Sequence, residues 1–420
     1  MNILIKQARV VDPSSPFHDQ SPDIFIQNGR ITEIGKKLDV SADQTISIKG
    51  LCISPGWVDV FANFADPGYE YKETLESGAR AAASGGFTDV MIIPNTYPVL
   101  HNKSGIEYIV QKSRLLLVNI HPIGAITKNS EGKELAEMYD MHASGARAFS
   151  DGIDPVQSPG ILLKALQYVK AVDSVIIQLP DDRSINPQGL MNEGLVSIKL
   201  GLPGKPLMAE ELVIERDIKL AEYAEAKIHF TGISGRLALE IISRHRDNSN
   251  TTCSITPYHL YFIDEDLVGY DPNLKVNPPL RTKNDQEALK KALIDGNIDC
   301  IATHHLPHEA DSKMCEFEYA KFGMIGLETA FAVLRTSVPQ IKPESWVKLL
   351  SINPRKIFNL EPVSIQKEST ACFTLFDPEE EWIVTEQHLR SKSKNNPFIG
   401  KGLKGRVKGI INKDQVFLAD

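Results

Sequence analysis

Residues 57–94 read WVDVFANFADPGYEYKETLESGARAAASGGFTDVMIIP, which is an apolar run, a helical stretch and a second apolar run. The runs WVDVF and TDVMIIP are short and rich in valine and isoleucine, as is typical of buried strands. The stretch between them, ETLESGARAAASGG, is rich in alanine and closes on two glycines, as helices commonly do. This segment therefore predicts a strand, a helix and a second strand parallel to the first.

Six more apolar runs follow, with helical stretches between them. They are HPIGAIT, ARAFSD, SVIIQLP, KIHFTG, CSITPYH and DCIATHH, at residues 121–127, 146–151, 174–180, 227–232, 253–259 and 299–305. Eight strands that alternate with helices favour a closed parallel barrel over an open sheet. We therefore predict an α/β fold, a (β/α)₈ TIM barrel over residues 55–360.

The two ends of the chain share a different pattern. Residues 1–54 contain short runs that alternate apolar and polar positions, such as DIFIQNGRITEIG, and residues 361–420 contain similar runs, such as CFTLFDPEEEWIV. This period of two is typical of strands. We expect both ends to pair in one small composite domain, a β-sandwich beside the barrel.

The composition argues against several classes of function. Lys and Arg number 46 against 54 Asp and Glu, and the formal net charge of −8 offers no basic field to nucleic acid or anionic lipid. The first residues lack a signal-peptide pattern, and no stretch approaches the roughly 18 apolar residues of a membrane span. The five cysteines are scattered, so neither a disulfide framework nor a cysteine zinc site is indicated. We expect a cytoplasmic protein that binds neither nucleic acid nor membrane.

Several segments have a distinctive amino-acid sequence in addition to a strand or turn pattern. They are LGLPG at 200–204, KVNPPLR at 275–281 and GLETA at 326–330, with the strand ends IPNT at 93–96 and ATHHLPH at 302–308. Together they resemble the dihydroorotase and dihydropyrimidinase branch of the amidohydrolases, over nearly the whole chain. The resemblance implies the barrel fold, hydrolysis of a cyclic amide and a pair of zinc ions at the barrel mouth.

The metal side of that resemblance is largely missing. The six positions that match the family's metal centre carry Phe61, Asn63, Asp151, Gln178, Gly232 and His304. Only Asp151 keeps the family's residue type. Phenylalanine and glycine offer no side-chain ligand, and neutral amides are poor donors to zinc. We therefore expect no zinc pair and no cofactor, and at most one weakly held ion.

His304 stands where the family carries its catalytic aspartate. The resemblance gives that aspartate two tasks, which are to ligate a metal and to carry a proton from the bridging hydroxide to the leaving nitrogen. A histidine can carry a proton, but it lacks the negative charge that helps to hold two dications. A catalytic role of His304 is therefore the weakest part of the resemblance.

The substrate side is better kept. Asn95 and His308 match family residues that contact the substrate carboxylate, and Asn277 matches one that contacts the pyrimidine ring. Ala65, however, stands where the family has an arginine that clamps the carboxylate. We predict Asn95, Asn277 and His308 as the substrate-binding positions.

The leading hypothesis is a dihydroorotase-like protein of pyrimidine biosynthesis that no longer hydrolyses its substrate. The resemblance supplies a precedent, because inactive members form assemblies with the aspartate transcarbamoylase catalytic subunit. We expect this protein to be a structural partner of that subunit, and we also expect a homodimer.

Two alternatives remain open. One is an active dihydroorotase or other cyclic amidohydrolase whose remodelled, mononuclear site uses Asp151, His304, His305 and His308. The other is a sensor that binds dihydroorotate or carbamoyl aspartate without reaction, through Asn95, Asn277 and His308. Metal content together with a hydrolysis assay would separate these hypotheses.

Overall fold

The structure is a computed structural model that describes residues 1–246 and 250–419. In chain order its strands are β1 (Asn2–Ile5), β2 (Arg9–Val10), β3 (Asp23–Gln27), β4 (Arg30–Gly35), β5 (Gln44–Ile46), β6 (Cys52–Pro55), β7 (Trp57–Ala62), β8 (Phe87–Ile92), β9 (Asn119–Gly124), β10 (Ala148–Phe149), β11 (Val175–Gln178), β12 (Met191–Asn192), β13 (Gly204–Lys205), β14 (Lys227–Phe230), β15 (Thr251–Ile255), β16 (Cys300–Ile301), β17 (Cys372–Ile383), β18 (Gly402–Asn412) and β19 (Gln415–Leu418).

The α-helices lie mostly between the barrel strands. They are α1 (Leu75–Ser84), α2 (Lys103–Ser113), α3 (Met138–Ala143), α4 (Pro159–Ala171), α5 (Leu195–Leu200), α6 (Met208–Ala224), α7 (Arg236–Arg244), α8 (Lys283–Ile294), α9 (Ala330–Ser337), α10 (Pro343–Val347) and α11 (Asn353–Ile357). A π-helical turn, Lys348–Ile352, joins the last two.

Eight parallel strands form the barrel, in the order β7, β8, β9, β10, β11, β14, β15 and β16. Each of them overlaps one of the eight predicted apolar runs. The first and last strands meet through an isolated bridge between Ala62 and His305, and the Asn63 N–H donates to the His305 carbonyl at 2.8 Å. The sheet is therefore nearly closed, and the prediction of a (β/α)₈ barrel is confirmed.

Helix α1 shows how local sequence sets an element boundary. The Thr74 hydroxyl accepts from the Ser77 N–H at 3.1 Å, which caps the first turn. Gly85 ends the helix at a point where a Cβ would lie 2.2 Å from the Leu327 carbonyl oxygen. The alanines of the helix are buried against the barrel, so the glycines end the helix where the backbone of the loop beside Leu327 approaches.

The two ends of the chain share a sheet. Strand β6 pairs antiparallel with β17, and β18 and β19 extend the same sheet on the far side of β17. A second sheet contains β4, β3, β1 and β5, and buried residues such as Ile3, Ile24 and Phe373 pack in one apolar cluster. The domain limits of 1–54 with 361–420, and of 55–360, stay a prediction.

None of the helices within residues 1–246 and 250–419 is both long enough and apolar enough to cross a lipid bilayer.

Candidate functional site

Three of the matched metal-centre positions pack against one another. The rings of Phe61 and His304 lie 4.6 Å apart between centroids, tilted by 35°. His304 Nε2 is hydrogen bonded to the Thr231 hydroxyl at 2.8 Å. A Cβ on Gly232 would lie 2.6 Å from the His304 ring, so only glycine leaves room for that ring. We call Phe61, Thr231, Gly232 and His304 the ring cluster.

His304 is a buried residue with an unusual backbone conformation. Its φ of +46° places it in the left-handed region that residues other than glycine rarely adopt. Burial, with smaller contributions from His259 and His229, lowers the pKa of His304 to about 3, so the ring is neutral at pH 7. A neutral ring that is 2% exposed and packed on Phe61 exchanges no proton readily with solvent. His304 is therefore a buried ring that packs on Phe61, and its catalytic role stays a prediction.

Asp151 is the one matched position that keeps the family's residue type. Its Oδ1 accepts from the Thr127 N–H at 2.9 Å, and its Oδ2 accepts from the Thr127 hydroxyl at 2.5 Å. Burial raises the pKa of Asp151 to about 6, and the bonds from Thr127 oppose that shift. Both oxygens of this carboxylate are thus engaged in joining the loops that follow β9 and β10.

Gln178 and Asn63 also form hydrogen bonds within the protein. The Gln178 Nε2 donates to the Val156 carbonyl and to Asp217 Oδ2, both at 3.1 Å. The Asn63 Oδ1 accepts from the Ala65 N–H at 2.6 Å, which closes a local turn. The Gln178 amide is thus bonded to Val156 and Asp217, and the Asn63 oxygen to the Ala65 N–H.

The residues present do not fit a zinc pair. Two of the matched positions have no ligand atom in the side chain, and the ring of His304 fills the space beside Gly232. In the part of the chain that the structure describes, one group of three or more His, Cys, Asp or Glu has ligand atoms close together, and it is His18, Asp19 and Glu344. That group contains no residue from a barrel strand end, and Asp19 is paired with Arg9 at 2.7 Å.

The three histidines after β16 have separate partners. His304 belongs to the ring cluster, whereas His305 Nε2 lies 3.5 Å from Glu73 Oε2, with both side chains fully buried. His308 Nε2 donates to the Phe322 carbonyl at 2.9 Å. Together with Asp151 they form no close ligand group among the described residues, and the remodelled mononuclear site stays a prediction.

The predicted substrate-binding positions are partly engaged already. The Asn95 Nδ2 donates to the Asp151 carbonyl and to Asp154, at 3.2 and 3.1 Å, and its Oδ1 accepts from the Ile153 N–H at 3.1 Å. The Asn277 Nδ2 donates to Asp181 Oδ2 at 3.3 Å, and Asp181 is also paired with Lys205 at 2.7 Å. His308 differs from both, because its Nδ1 has no hydrogen-bond partner in the described residues.

A cavity of about 300 Å³ remains at the barrel mouth, and we call it the mouth cavity. Its wall includes Asn63, Ala65, Lys72, Asn95, Ser130 and His308. Asn95 and His308 were predicted from the sequence as substrate contacts, whereas Asn277 is not part of this wall. Sequence reasoning missed Lys72 and Ser130. The available signal was their position on loops that follow barrel strands, because such loops build the mouth.

The chain is similar along its whole length to proteins named dihydroorotase. A family model described as dihydro-orotase-like matches residues 50–237. The dihydroorotase of Syntrophus aciditrophicus is 39% identical over 413 residues, which cover 97% of each chain. The dihydroorotase of Citrifermentans bemidjiense is 40% identical over 421 aligned positions, which cover 99% of each chain.

Solved structures with the same fold include hydantoinases. L-hydantoinase (dihydropyrimidinase) from Arthrobacter aurescens superposes with a TM-score of 0.86 at 23% identity, over 99% of this chain and 95% of that one. A D-hydantoinase superposes with a TM-score of 0.83 at 19% identity, over 100% of this chain and 96% of that one. At these identities the likeness establishes the fold.

Proposed function

The chain belongs to the dihydroorotase family, and we propose that it is a member that does not hydrolyse dihydroorotate. The observation that carries this proposal is the ring cluster, in which the His304 ring packs on Phe61 and over Gly232. Ring opening at neutral pH needs an activated hydroxide, because zinc lowers the pKa of water from about 15.7 to about 7. The residues at the strand ends supply neither the ligands for that ion nor a carboxylate in place of His304.

The role that remains is one the folded barrel itself can perform. We propose that the protein is a cytoplasmic partner of the aspartate transcarbamoylase catalytic subunit in pyrimidine biosynthesis. Two things support this: the family to which the chain belongs, and a barrel whose replaced positions are filled by well-packed side chains. The packed side chains preserve the fold, and an intact fold preserves the outer surface through which the protein can bind another subunit.

An active dihydroorotase is the second candidate, and a specific observation favours it. Relatives that align with nearly the whole chain at 39–40% identity are named dihydroorotase. This candidate needs a nucleophile that does not depend on the family's metal positions, and the three histidines after β16 have partners that keep them apart.

A hydrolysis assay with metal analysis tests the proposal. The full-length protein, purified with and without added zinc, is assayed with L-dihydroorotate beside the dihydroorotase of Syntrophus aciditrophicus. We expect turnover at the uncatalysed background and less than one bound zinc per chain. Turnover at ordinary enzyme rates, roughly 1–10³ per second, would establish the second candidate instead.

The partnership needs its own experiment. Purification of the tagged full-length chain from its source cells should recover the aspartate transcarbamoylase catalytic subunit in a fixed ratio. If that subunit elutes separately in size-exclusion chromatography of the two purified proteins at micromolar concentration, the partnership is wrong. This result would not affect the proposed loss of hydrolysis, which the assay above tests independently.

A further inference from the structure

A second cavity lies at the end of the barrel opposite the mouth. Its wall includes Val175, Lys227 and Thr251, which are the first residues of β11, β14 and β15. Asp299, just before β16, and Ile357, the last residue of α11, lie in the same wall. We call this space of about 470 Å³ the lower cavity, and none of its described wall residues belongs to the mouth cavity.

Three cationic side chains line the lower cavity, and they are Lys227, Arg246 and Lys356. Lys227 is paired with Asp173 at 2.6 Å, and Arg246 is paired with Asp299 at 3.2 Å. Within residues 1–246 and 250–419 the Lys356 ammonium forms neither an ion pair nor a hydrogen bond. The wall therefore carries a positive charge that no carboxylate of the described residues neutralises.

Arg246 adds a hydrogen-bond donor that is not used. Its Nη2 donates to the Asn297 carbonyl and to Asp299 Oδ2. Its Nε is buried and has no partner in the part of the chain that the structure describes. A guanidinium nitrogen only donates, so an acceptor atom must satisfy it. Because buried polar atoms are nearly always hydrogen bonded, this Nε indicates an acceptor oxygen of a water or a ligand.

Asp299 is the wall group that would repel an anion. Its Oδ2 accepts from the Arg246 Nη2 at 3.2 Å and from the Cys253 N–H at 2.8 Å. Burial raises the pKa of Asp299, which weakens its preference for the charged form. Both effects reduce the repulsion between Asp299 and an anion in the lower cavity.

The lower cavity has room for more than an inorganic anion. Its volume of about 470 Å³ lies within the range of organic ligand pockets, which is roughly 300–1,000 Å³. Val175 is buried and Ile357 is half-buried, and both contribute apolar atoms to the wall. An anion that also carries a small organic group would contact both kinds of wall residue.

We propose that the lower cavity binds a small phosphate ester. The phosphate accepts hydrogen bonds from the Lys356 ammonium and the Arg246 Nε, and the organic group packs against Val175 and Ile357. A phosphate suits these donors better than a carboxylate does, since it offers three acceptor oxygens and a charge of about −1.5 to −2 at pH 7. Barrel enzymes carry out their reactions at the opposite end, so a ligand bound here regulates or stabilises the protein and does not react.

Isothermal titration calorimetry of the full-length protein at pH 7.5 tests the proposal with phenyl phosphate, inorganic phosphate and benzoate. We expect phenyl phosphate to bind roughly fivefold more tightly than inorganic phosphate and roughly tenfold more tightly than benzoate. No binding of phenyl phosphate, or equally tight binding of benzoate, would overturn the proposal. Equal affinity for phenyl phosphate and inorganic phosphate would overturn the assignment of an ester.

Variants then assign the binding to these residues. Lys356→Met should weaken the binding of phenyl phosphate roughly tenfold, because it removes a charged donor. Arg246→Lys keeps a positive charge but removes the Nε donor, so it should weaken binding roughly threefold. Lys348→Met is the matched control, because Lys348 is an exposed lysine of the adjoining π-helical turn that lies outside the cavity wall, and affinity should stay unchanged.

Lys72→Met distinguishes the two cavities. If phenyl phosphate bound in the mouth cavity, Lys72→Met would weaken its binding and Lys356→Met would not, and the proposal would be wrong. Thermal unfolding shows whether each variant is folded, and the exposed position of Lys356 keeps the test decisive if Arg246→Lys unfolds. None of these results depends on whether the protein hydrolyses dihydroorotate, since no residue of the mouth takes part.

Discussion

The two sides of the barrel mouth contrast with each other. At the ends of β7, β14 and β16, the rings of Phe61 and His304 fill the space of the ring cluster. The His304 ring leaves no room for a side chain at position 232. Among the loops that follow the barrel strands, the mouth cavity keeps about 300 Å³ with Lys72 and Ser130 in its wall. The difference teaches that strand-end positions of a barrel can become core while the neighbouring loops keep a polar cavity.

The contrast has a physical basis in how the two sides are built. Strand ends are close together in a closed barrel, so a large ring at one position must be matched by a small residue at another. Loops lie on the surface and their polar groups can be satisfied by water or a ligand, so a cavity there costs less. Predictions that change one side at a time can therefore break or sharpen the comparison.

The largest effect is expected from Gly232→Ala. The added Cβ would lie 2.6 Å from the buried His304 ring, at a φ of +73° that disfavours alanine. We expect the free energy of unfolding to fall by about 2–4 kcal/mol, from backbone strain and overpacking together. Chemical denaturation with urea measures this value.

A matched glycine separates those two causes. Gly201 has a φ of +69° with nothing within 4 Å of an added Cβ, so Gly201→Ala carries the strain without the clash. This variant should lose only about 1 kcal/mol. Equal losses in the two variants would mean that the His304 ring moves aside easily and that the ring cluster is not tightly packed.

The second prediction concerns the pH dependence of stability. Burial raises the folded-state pKa of Asp151 from 3.8 to about 6, so the contribution of this group to stability is complete below about pH 4. That contribution is then lost as the pH rises through 6, by about 2–3 kcal/mol. Comparison of the wild type with Asp151→Asn, by urea denaturation from pH 4 to 7.5, should show the difference. Asp295→Asn, at an exposed carboxylate, should show no such trend.

The third prediction tests whether Asn95 belongs to the structure or to a ligand. Its amide bridges Asp151, Ile153 and Asp154 through three hydrogen bonds. We expect Asn95→Ala to lower the free energy of unfolding by about 1–3 kcal/mol, because partly buried groups of Asp151, Ile153 and Asp154 lose their hydrogen-bond partner. A variant of unchanged stability that binds N-carbamoyl-L-aspartate tenfold more weakly would assign Asn95 to the ligand side instead.

The smallest effect is expected where a single ligand is restored. Phe61→His supplies one histidine to a site in which Gly232 and His304 still differ from the family, and groups that act as a unit are not rescued singly. We expect neither tight zinc binding, measured by elemental analysis, nor hydrolysis of dihydroorotate. Turnover by this variant would show that the ring cluster is one substitution from a working centre.

The sequence by itself determined the barrel and the residue types at the ends of its strands. The alternation of apolar runs and helical stretches is a local property, and each of the eight runs overlaps a barrel strand. The absence of ligand atoms from Phe61 and Gly232 is likewise a property of those residue types, independent of where they lie. Sequence also predicted Asn95 and His308 as substrate contacts; both lie in the wall of the mouth cavity, and contact with a substrate stays a prediction.

Only the tertiary structure decided what fills the space and what stays open. The contact of Phe61 with His304 joins residues at opposite ends of the barrel segment and exists because the sheet nearly closes. The partners of Asn95, the free Nδ1 of His308 and the position of Lys72 depend in the same way on loops that meet in space. The spacing of apolar residues along the chain indicates whether a segment is a helix or a strand. The hydrogen-bond partner of a polar atom is set instead by packing between distant parts of the chain.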